Sequence, residues 1–190
     1  MNEYQQIIKQ IQESPDFRKA LTRENFSWFF ATYFTHYITC PTAPFQKAMF
    51  DLLQNDELLK IAITAFRGSA KSTIATLAFP IWAMVGKSHK KYALLVSQTQ
   101  ELSKQILTNM KQELSSNELL IRDFGPFTEV ADEWRANSFV IPQYDARISA
   151  ISQSESIRGL RHRQYRPDLI IIDDVEDLES VKTKENRDRL

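Results

Sequence analysis

Apolar residues recur along the chain at two spacings, one typical of strands and the other of helices. Three short apolar runs, at residues 61–66, 92–97 and 169–172, have the composition of buried β-strands. Between these runs, apolar residues recur every three or four positions, as on one face of a helix. This spacing predicts helices over residues 71–85 and onward from Gln100. The alternation predicts an α/β fold with a mainly parallel sheet flanked by helices.

The N-terminal residues carry a helical pattern of their own. Residues 1–38 are predicted to be helical, with Asn25 or Ser27 capping an aromatic helix. The aromatic run at residues 28–34 is interpreted as core packing, and a base-stacking platform is the alternative. Two prolines end this region, and a further helix is predicted over residues 46–53.

A turn of small residues joins the first predicted strand to the first predicted helix. It reads Phe66, Arg67, Gly68, Ser69, Ala70, Lys71, Ser72 and Thr73. Backbone N–H groups of such a turn and the positive end of the helix bind a polyphosphate, and Lys71 adds a point charge. The Ser72 hydroxyl is of the type that ligates Mg²⁺. The turn therefore predicts a site for ATP with Mg²⁺.

This turn departs from the usual phosphate-loop pattern at two positions. The pattern has glycine where this chain has Ala65 and Ala70. Because alanine tolerates left-handed backbone geometry poorly, Ala70 predicts an adjusted turn. The alternative is an ordinary strand–helix connection with a surface lysine.

Carboxylates follow the third predicted strand directly. The segment from residue 168 reads Asp-Leu-Ile-Ile-Ile-Asp-Asp-Val-Glu-Asp, and its four apolar residues predict a strand buried on both faces. The C-terminal end of a parallel strand is where open α/β sheets bind ligands. Asp173 suits the Mg²⁺ shell, and Asp174 or Glu176 could orient and deprotonate an attacking water. The alternative is a core strand followed by the acidic first turn of a helix.

The number of residues between Lys71 and Asp173 narrows the fold class. It leaves room for an extra strand–helix unit and for a hairpin, predicted at residues 138–141 and 147–151 around Pro142. This favours a P-loop NTPase core of the ASCE or RecA-like type, with a strand inserted between its motifs. An N-terminal helical extension is predicted over residues 1–44, and the ATPase core over residues 45–190.

Residues outside the two motifs add candidate contacts. The Gln46 amide could pair with an adenine edge while Phe45 covers the base, or Gln46 is a surface residue. Arg67 could bind the γ-phosphate in cis, or it faces solvent. Four arginines lie within nine residues before the third strand: Arg158, Arg161, Arg163 and Arg166. One of Arg158, Arg161 and Arg163 could act as an arginine finger towards a neighbouring subunit, or the four together could bind a phosphate backbone or a partner.

Composition narrows the class of protein further. The 190 residues, 43% hydrophobic and 25% charged, suit one globular domain. With 24 basic and 24 acidic residues there is no overall nucleic-acid signature, so any DNA contact comes from local patches. The single cysteine, Cys40, excludes an internal disulfide and fits a reducing cytosol. No leader sequence is visible, and the longest uncharged run contains prolines, so no membrane span is predicted.

Taken in order, these segments resemble the ATPase domain of tailed-phage terminase large subunits, the motors that package DNA. The resemblance covers residues 24–178. It rests on segments that read Phe45-Gln46, Phe66-Arg67-Gly68-Ser69-Ala70-Lys71-Ser72-Thr73, Leu94-Leu95-Val96-Ser97-Gln98-Thr99, and Ser156-Ile157-Arg158-Gly159-Leu160-Arg161 leading to Arg166-Pro167-Asp168-Leu169-Ile170-Ile171-Ile172-Asp173-Asp174. The ordered set is much more specific than either nucleotide motif alone.

The resemblance implies ATP hydrolysis coupled to translocation of double-stranded DNA into a procapsid. It implies a homo-oligomeric ring, usually pentameric, docked on the portal protein in the host cytoplasm, and a small terminase subunit that recruits DNA. Carried over, Gln46 would contact adenine, and Lys71 and Ser72 the phosphates and Mg²⁺. Asp173 would hold Mg²⁺, and the catalytic carboxylate, normally glutamate, falls on Asp174. Arg67 would be the loop arginine, and Glu176 stays an alternative for the water-activating role.

The family's coupling motif and nuclease domain would lie beyond Leu190. We therefore expect no DNA cleavage by this chain and weak ATP hydrolysis. Two other functions remain open. A helicase-like ATPase would share both nucleotide motifs, and a non-hydrolysing module would bind nucleotide or a partner through a degenerate loop, as Ala65 and Ala70 favour.

Overall fold

The computed structural model of the chain describes residues 3–128 and 134–175. It shows an α/β protein with α1 (Glu3–Glu13), α2 (Pro15–Glu24), α3 (Phe26–Tyr33), α4 (Pro44–Leu53), a π-helix (Ser72–Ala78) that runs into α5 (Phe79–Val85), β1 (Tyr92–Ser97), α6 (Gln100–Ser116), α7 (Glu118–Phe124), β2 (Ser138–Ile141), β3 (Ala146–Ser152) and β4 (Leu169–Ile172). Two compact units are formed, Met1–His89 with Met110–Thr128 and Lys90–Asn109 with Glu129–Leu190.

The first unit contains the predicted N-terminal helices. Asn25, rather than Ser27, caps the aromatic helix, since its side-chain oxygen accepts from the Trp28 N–H at 3.0 Å. Phe29, Phe30 and Tyr33 of this run are buried, which confirms core packing for these three, while Trp28 is half-buried. Phe26 lies at the centre of this core, with its ring centroid 5.3 Å from those of Phe50 and Trp82. Aromatic burial therefore holds α3, α4 and α5 together.

A buried ion pair lies in the same unit. The Arg18 guanidinium donates to Asp123 through Nε at 2.6 Å and Nη2 at 2.9 Å, and both side chains are almost fully buried. The Tyr33 hydroxyl donates to the same carboxylate at 2.8 Å. Burial and the carboxylate neighbour raise the pKa of Tyr33 above its ordinary value. These contacts connect α2, α3 and α7 through one charged group.

The predicted strand at residues 61–66 is wrong. These residues form no strand, and their exposure alternates between half-buried and exposed. Isoleucine, threonine and phenylalanine fit a pleated, half-buried surface, but a strand exists only where a neighbour supplies ladder hydrogen bonds. Within the described part of the chain, this segment pairs with no other strand.

The second unit contains a four-stranded mixed sheet of order β2-β3-β1-β4. β1 runs parallel to both β3 and β4, and β2 pairs antiparallel with β3. The predicted hairpin and the predicted bounds of β1 are confirmed. The Asp168 carboxylate accepts from the backbone N–H groups of Lys91 and Tyr92 at 2.9 and 2.8 Å. This carboxylate fixes the start of β4 against the start of β1.

The prediction that the last strand is buried on both faces is also wrong. Ile170 and Ile172 are 54% and 64% exposed, while Leu169 and Ile171 are half-buried. β4 is the last strand of the sheet, and β1 is the neighbour with which its described residues pair. An edge strand covered on one face alternates in exposure, whereas a central strand between helices does not. No helix within residues 3–128 and 134–175 is long and apolar enough to cross a membrane.

Candidate functional site

The turn before Lys71 has a strained backbone. Gly68 has φ +84° and Ala70 has φ +63°, both in the left-handed region. The prediction of a turn adjusted around Ala70 is therefore wrong, because Ala70 itself adopts the conformation that glycine would favour. Its carbonyl accepts from the Ile74 N–H at 2.9 Å at the start of the helix, and the Ser69 N–H donates to the Phe66 carbonyl at 3.2 Å. Strain of this kind is concentrated at ligand-binding sites.

We expect Ala70→Gly to raise the free energy of unfolding by about 0.5–1 kcal/mol, because glycine removes the cost of left-handed alanine. Ala65→Gly is the matched control. Ala65 has no positive φ, so glycine there only adds chain entropy to the unfolded state and lowers stability by roughly 0.5–1 kcal/mol. Urea unfolding of the two variants measures both changes. Equal destabilisation by both would show that Ala70 carries no strain.

The Gln46 side chain connects α4 to this turn. Its oxygen accepts from the Ala43 N–H at 2.9 Å, and its nitrogen donates to the Ser69 carbonyl at 3.2 Å. A glutamine amide has two donors and two acceptor positions, so one of each remains for a ligand. Gln46 can therefore hold the turn in place and still offer one donor and one acceptor to a ligand.

A cleft of about 150 Å³ adjoins the turn. Gly68 and Ala70 line it together with Gln46, Tyr37 and Cys40. A Cβ added at Gly68 would meet nothing within 4 Å, so the backbone here borders open space. The cleft thus gives a ligand access to both the turn and the Gln46 amide.

The other predicted contact residues of this unit surround the turn. The Phe45 ring packs edge-on against Phe66 with centroids 5.3 Å apart, and its role as a cover for the base stays a prediction. Arg67 and Ser72 are exposed, and Lys71 and Thr73 are half-buried. Exposed and half-buried positions leave these side chains accessible from solvent.

The helix after Lys71 begins as a π-helix instead of an α-helix. The Phe79 N–H donates to the Ile74 carbonyl, five residues back, so residues Ser72–Ala78 form a π-helix. Pro80 follows in the first turn of α5. A proline has no N–H and its ring crowds the carbonyl four residues earlier, and a wider turn relieves both problems. Short π-helical segments occur frequently at functional sites.

The acidic cluster lies at the end of β4 in the second unit. The Asp173 N–H donates to the Val96 carbonyl at 3.0 Å and so continues the ladder with β1. Asp174 follows with φ +48° and an exposed side chain. Glu176 lies outside the described residues. Since Lys71 belongs to the first unit and Asp173 to the second, a shared magnesium–triphosphate site stays a prediction.

The arginines that precede β4 differ in their contacts and exposure. Arg163 donates to the Asp145 carboxylate at 2.8 Å, and the buried His162 contacts the same oxygen at 3.2 Å. Burial lowers the pKa of His162, so this imidazole is neutral near pH 7 and donates to the carboxylate through Nε2. In contrast, Arg158 and Arg161 are exposed, and their guanidinium groups have no partner among the described residues. These two are available for a phosphate or an acidic group.

The donor atoms for Mg²⁺ are few. Among residues 3–128 and 134–175, no group of three or more His, Cys, Asp or Glu side chains could hold a metal ion. Magnesium usually takes one or two protein oxygens and fills its shell with water and phosphate. The Ser72 hydroxyl in the first unit and the Asp173 carboxylate in the second are each an oxygen donor of this type, and their role as Mg²⁺ ligands stays a prediction.

Sequence reasoning did not identify Tyr37 as a site residue, although it lines the cleft. The signal that could have found it is the aromatic run of α3, whose pattern continues to Tyr37. Comparison with protein-family models, curated proteins and solved structures found no match to this chain. The functional assignment therefore depends on the ordered motifs and on the geometry of the turn and cleft.

Proposed function

We propose that the chain is the P-loop ATPase part of a viral DNA-packaging motor, a terminase large subunit. The observation that carries the proposal is the turn before Lys71, in which Gly68 and Ala70 adopt left-handed conformations beside an open cleft. Left-handed residues in a short turn orient successive backbone N–H groups towards an anion. The motifs that resemble the terminase family, in their order along the chain, support the more specific assignment.

Each residue of the site has a chemical task under this proposal. Lys71 and the turn bind the β- and γ-phosphates, and Gln46 pairs with the base. Ser72 and Asp173 would hold Mg²⁺, which when bound neutralises charge on the β- and γ-phosphate oxygens. Asp174 orients the attacking water and accepts its proton, with Glu176 as the other candidate.

Hydrolysis is proposed to drive translocation of double-stranded DNA into a procapsid. Arg158 or Arg161 would reach the nucleotide of a neighbouring subunit or a phosphate of the DNA backbone, since both guanidinium groups are exposed. The proposed partners are the portal protein, the small terminase subunit and further copies of the chain in a ring. The proposed location is the host cytoplasm, at the procapsid portal.

Titration of ATP·Mg²⁺ against the wild type and Lys71→Ala tests the proposal. Removing the ammonium deletes charge-assisted hydrogen bonds worth about 1.5–3 kcal/mol, so we expect the affinity to fall roughly 10- to 150-fold. Lys87→Ala is the matched control, because Lys87 is exposed in the same unit and follows the far end of α5. Equal, negligible binding by the wild type and Lys71→Ala would leave only a partner-binding module.

A second candidate is nucleotide binding without turnover. It is favoured by residues 61–66, which pair with no strand in the described part of the chain. An unpaired segment before the turn holds bound phosphates less rigidly for reaction. Tight ATP binding by the wild type with no release of phosphate would favour this candidate.

A further inference from the structure

The cleft beside the turn has an aromatic wall, and the proposed phosphate contacts do not involve it. Tyr37 lines the cleft together with Gly68 and Ala70. With a volume of about 150 Å³, the cleft is smaller than the roughly 300–1,000 Å³ pockets that enclose whole drug-sized ligands. It therefore has the size of one part of a nucleotide, and its other wall is the phosphate-binding turn.

A buried carboxylate holds Tyr37 in place. The Tyr37 hydroxyl donates to Glu113 Oε1 at 3.0 Å, and His36 Nε2 contacts the same oxygen at 2.9 Å. Asn117 donates to the second oxygen of Glu113 at 3.0 Å. Burial of the hydroxyl and its bond to Glu113 raise the pKa of Tyr37 to about 12, so it stays protonated and keeps donating. The hydroxyl is thus occupied, and the ring is the part of Tyr37 left for a ligand.

The ring of Tyr37 belongs to an aromatic cluster that extends from the core to the cleft. Phe30 and Phe34 are buried and stack at 5.7 Å between centroids, with their planes 7° apart. Tyr37 stacks on Phe34 at 6.0 Å and 28°, its ring also contacts the His36 ring at 4.4 Å and 44°, and it is 38% exposed. A fixed ring that is partly exposed to a cleft can take a planar group against its exposed part.

We infer that Tyr37 is the side chain on which the nucleotide base stacks, and that it positions the base beside the phosphate-binding turn. Thr39, Thr42 and Gln46 line the same cleft and supply polar groups for the edge of the base. The inference rests on the proposed nucleotide-binding function and adds a residue that determines affinity for the base.

The test compares Mg²⁺ complexes of ATP and of inorganic tripolyphosphate, which has no base. Base–aromatic stacking is worth ~1–3 kcal/mol, so Tyr37→Ala should weaken ATP binding roughly 5- to 150-fold. Its affinity for tripolyphosphate should be unchanged, because the turn and Lys71 are untouched. Tyr37→Phe keeps the ring and should bind ATP within a few-fold of the wild type. Lys71→Ala should weaken binding of both ligands.

Three results with the Tyr37 variants would overturn the inference: unchanged ATP binding by Tyr37→Ala, an equal loss of ATP and tripolyphosphate binding in that variant, or a loss in Tyr37→Phe as large as in Tyr37→Ala. A wild type that binds tripolyphosphate as tightly as ATP would also overturn it, while leaving the phosphate site intact. A wild type that binds neither ligand would instead reject the proposed function itself.

Discussion

Replacing Arg18 with methionine is expected to lower the free energy of unfolding by about 3–5 kcal/mol. The substitution keeps the apolar stem but leaves Asp123 buried with an uncompensated negative charge. Arg18 makes two hydrogen bonds to that carboxylate, at 2.6 and 2.9 Å, and a third to the Ile11 carbonyl at 2.8 Å. Urea unfolding monitored by circular dichroism measures the loss.

Two variants show whether burial of the charge is the cause. Arg122 approaches the same carboxylate at 4.0 Å, but its side chain is 67% exposed, so Arg122→Met should cost less than about 1 kcal/mol. The double variant Arg18→Met/Asp123→Leu removes both buried charges and should recover most of the lost stability. An equal loss in Arg18→Met and Arg122→Met would contradict this account.

The same pair makes stability depend on pH. Burial alone would raise the pKa of Asp123, but hydrogen bonds from Arg18 and Tyr33 outweigh it and hold this pKa below its ordinary value. A depressed folded-state pKa contributes stability that is complete above the unfolded pKa, about 4, and is lost as pH falls through the folded pKa. The free energy of unfolding of the wild type, measured from neutral pH down through this range, should fall. In Arg18→Met this fall should be smaller.

The parts of the fold that could be predicted are those set by local chemistry. Residues 92–96 form an unbroken apolar run that Ser97 follows, and β1 has the bounds predicted for this segment. Asn25 marks a helix start, because its side-chain oxygen accepts from a first-turn N–H group. Pro142 separates two short runs that pair as a hairpin.

Features that depend on remote partners could not be predicted. Residues 61–66 have strand-like composition, but pairing needs a neighbour that composition does not reveal. Arg18 and Asp123 are 105 positions apart, and hydropathy would place both charges at the surface. Gln46 and the turn were both identified in the sequence, but the hydrogen bond from Gln46 to Ser69 depends on the packing of α4.

Under the proposed function, replacing Asp174 with asparagine is expected to reduce ATP turnover by roughly 10²–10⁴-fold. The substitution removes the proton acceptor and its charge but keeps the shape of the side chain. Asp174 has φ +48°, and asparagine tolerates the left-handed conformation as well as aspartate does, so the backbone is undisturbed. ATP affinity should therefore stay within a few-fold of the wild type. Phosphate release at saturating ATP·Mg²⁺ and equilibrium ATP binding measure the two quantities separately.

Asp174→Glu is the matched control, because it keeps a carboxylate on a longer arm at the position where the terminase family normally has glutamate. Glutamate in the left-handed conformation costs about 1–2 kcal/mol of stability, so the variant should turn over ATP while unfolding at a lower urea concentration. Asp174→Ala is not a suitable control, because it changes the backbone preference and the charge together. Turnover that is unchanged in Asp174→Asn would move the water-activating role to Glu176.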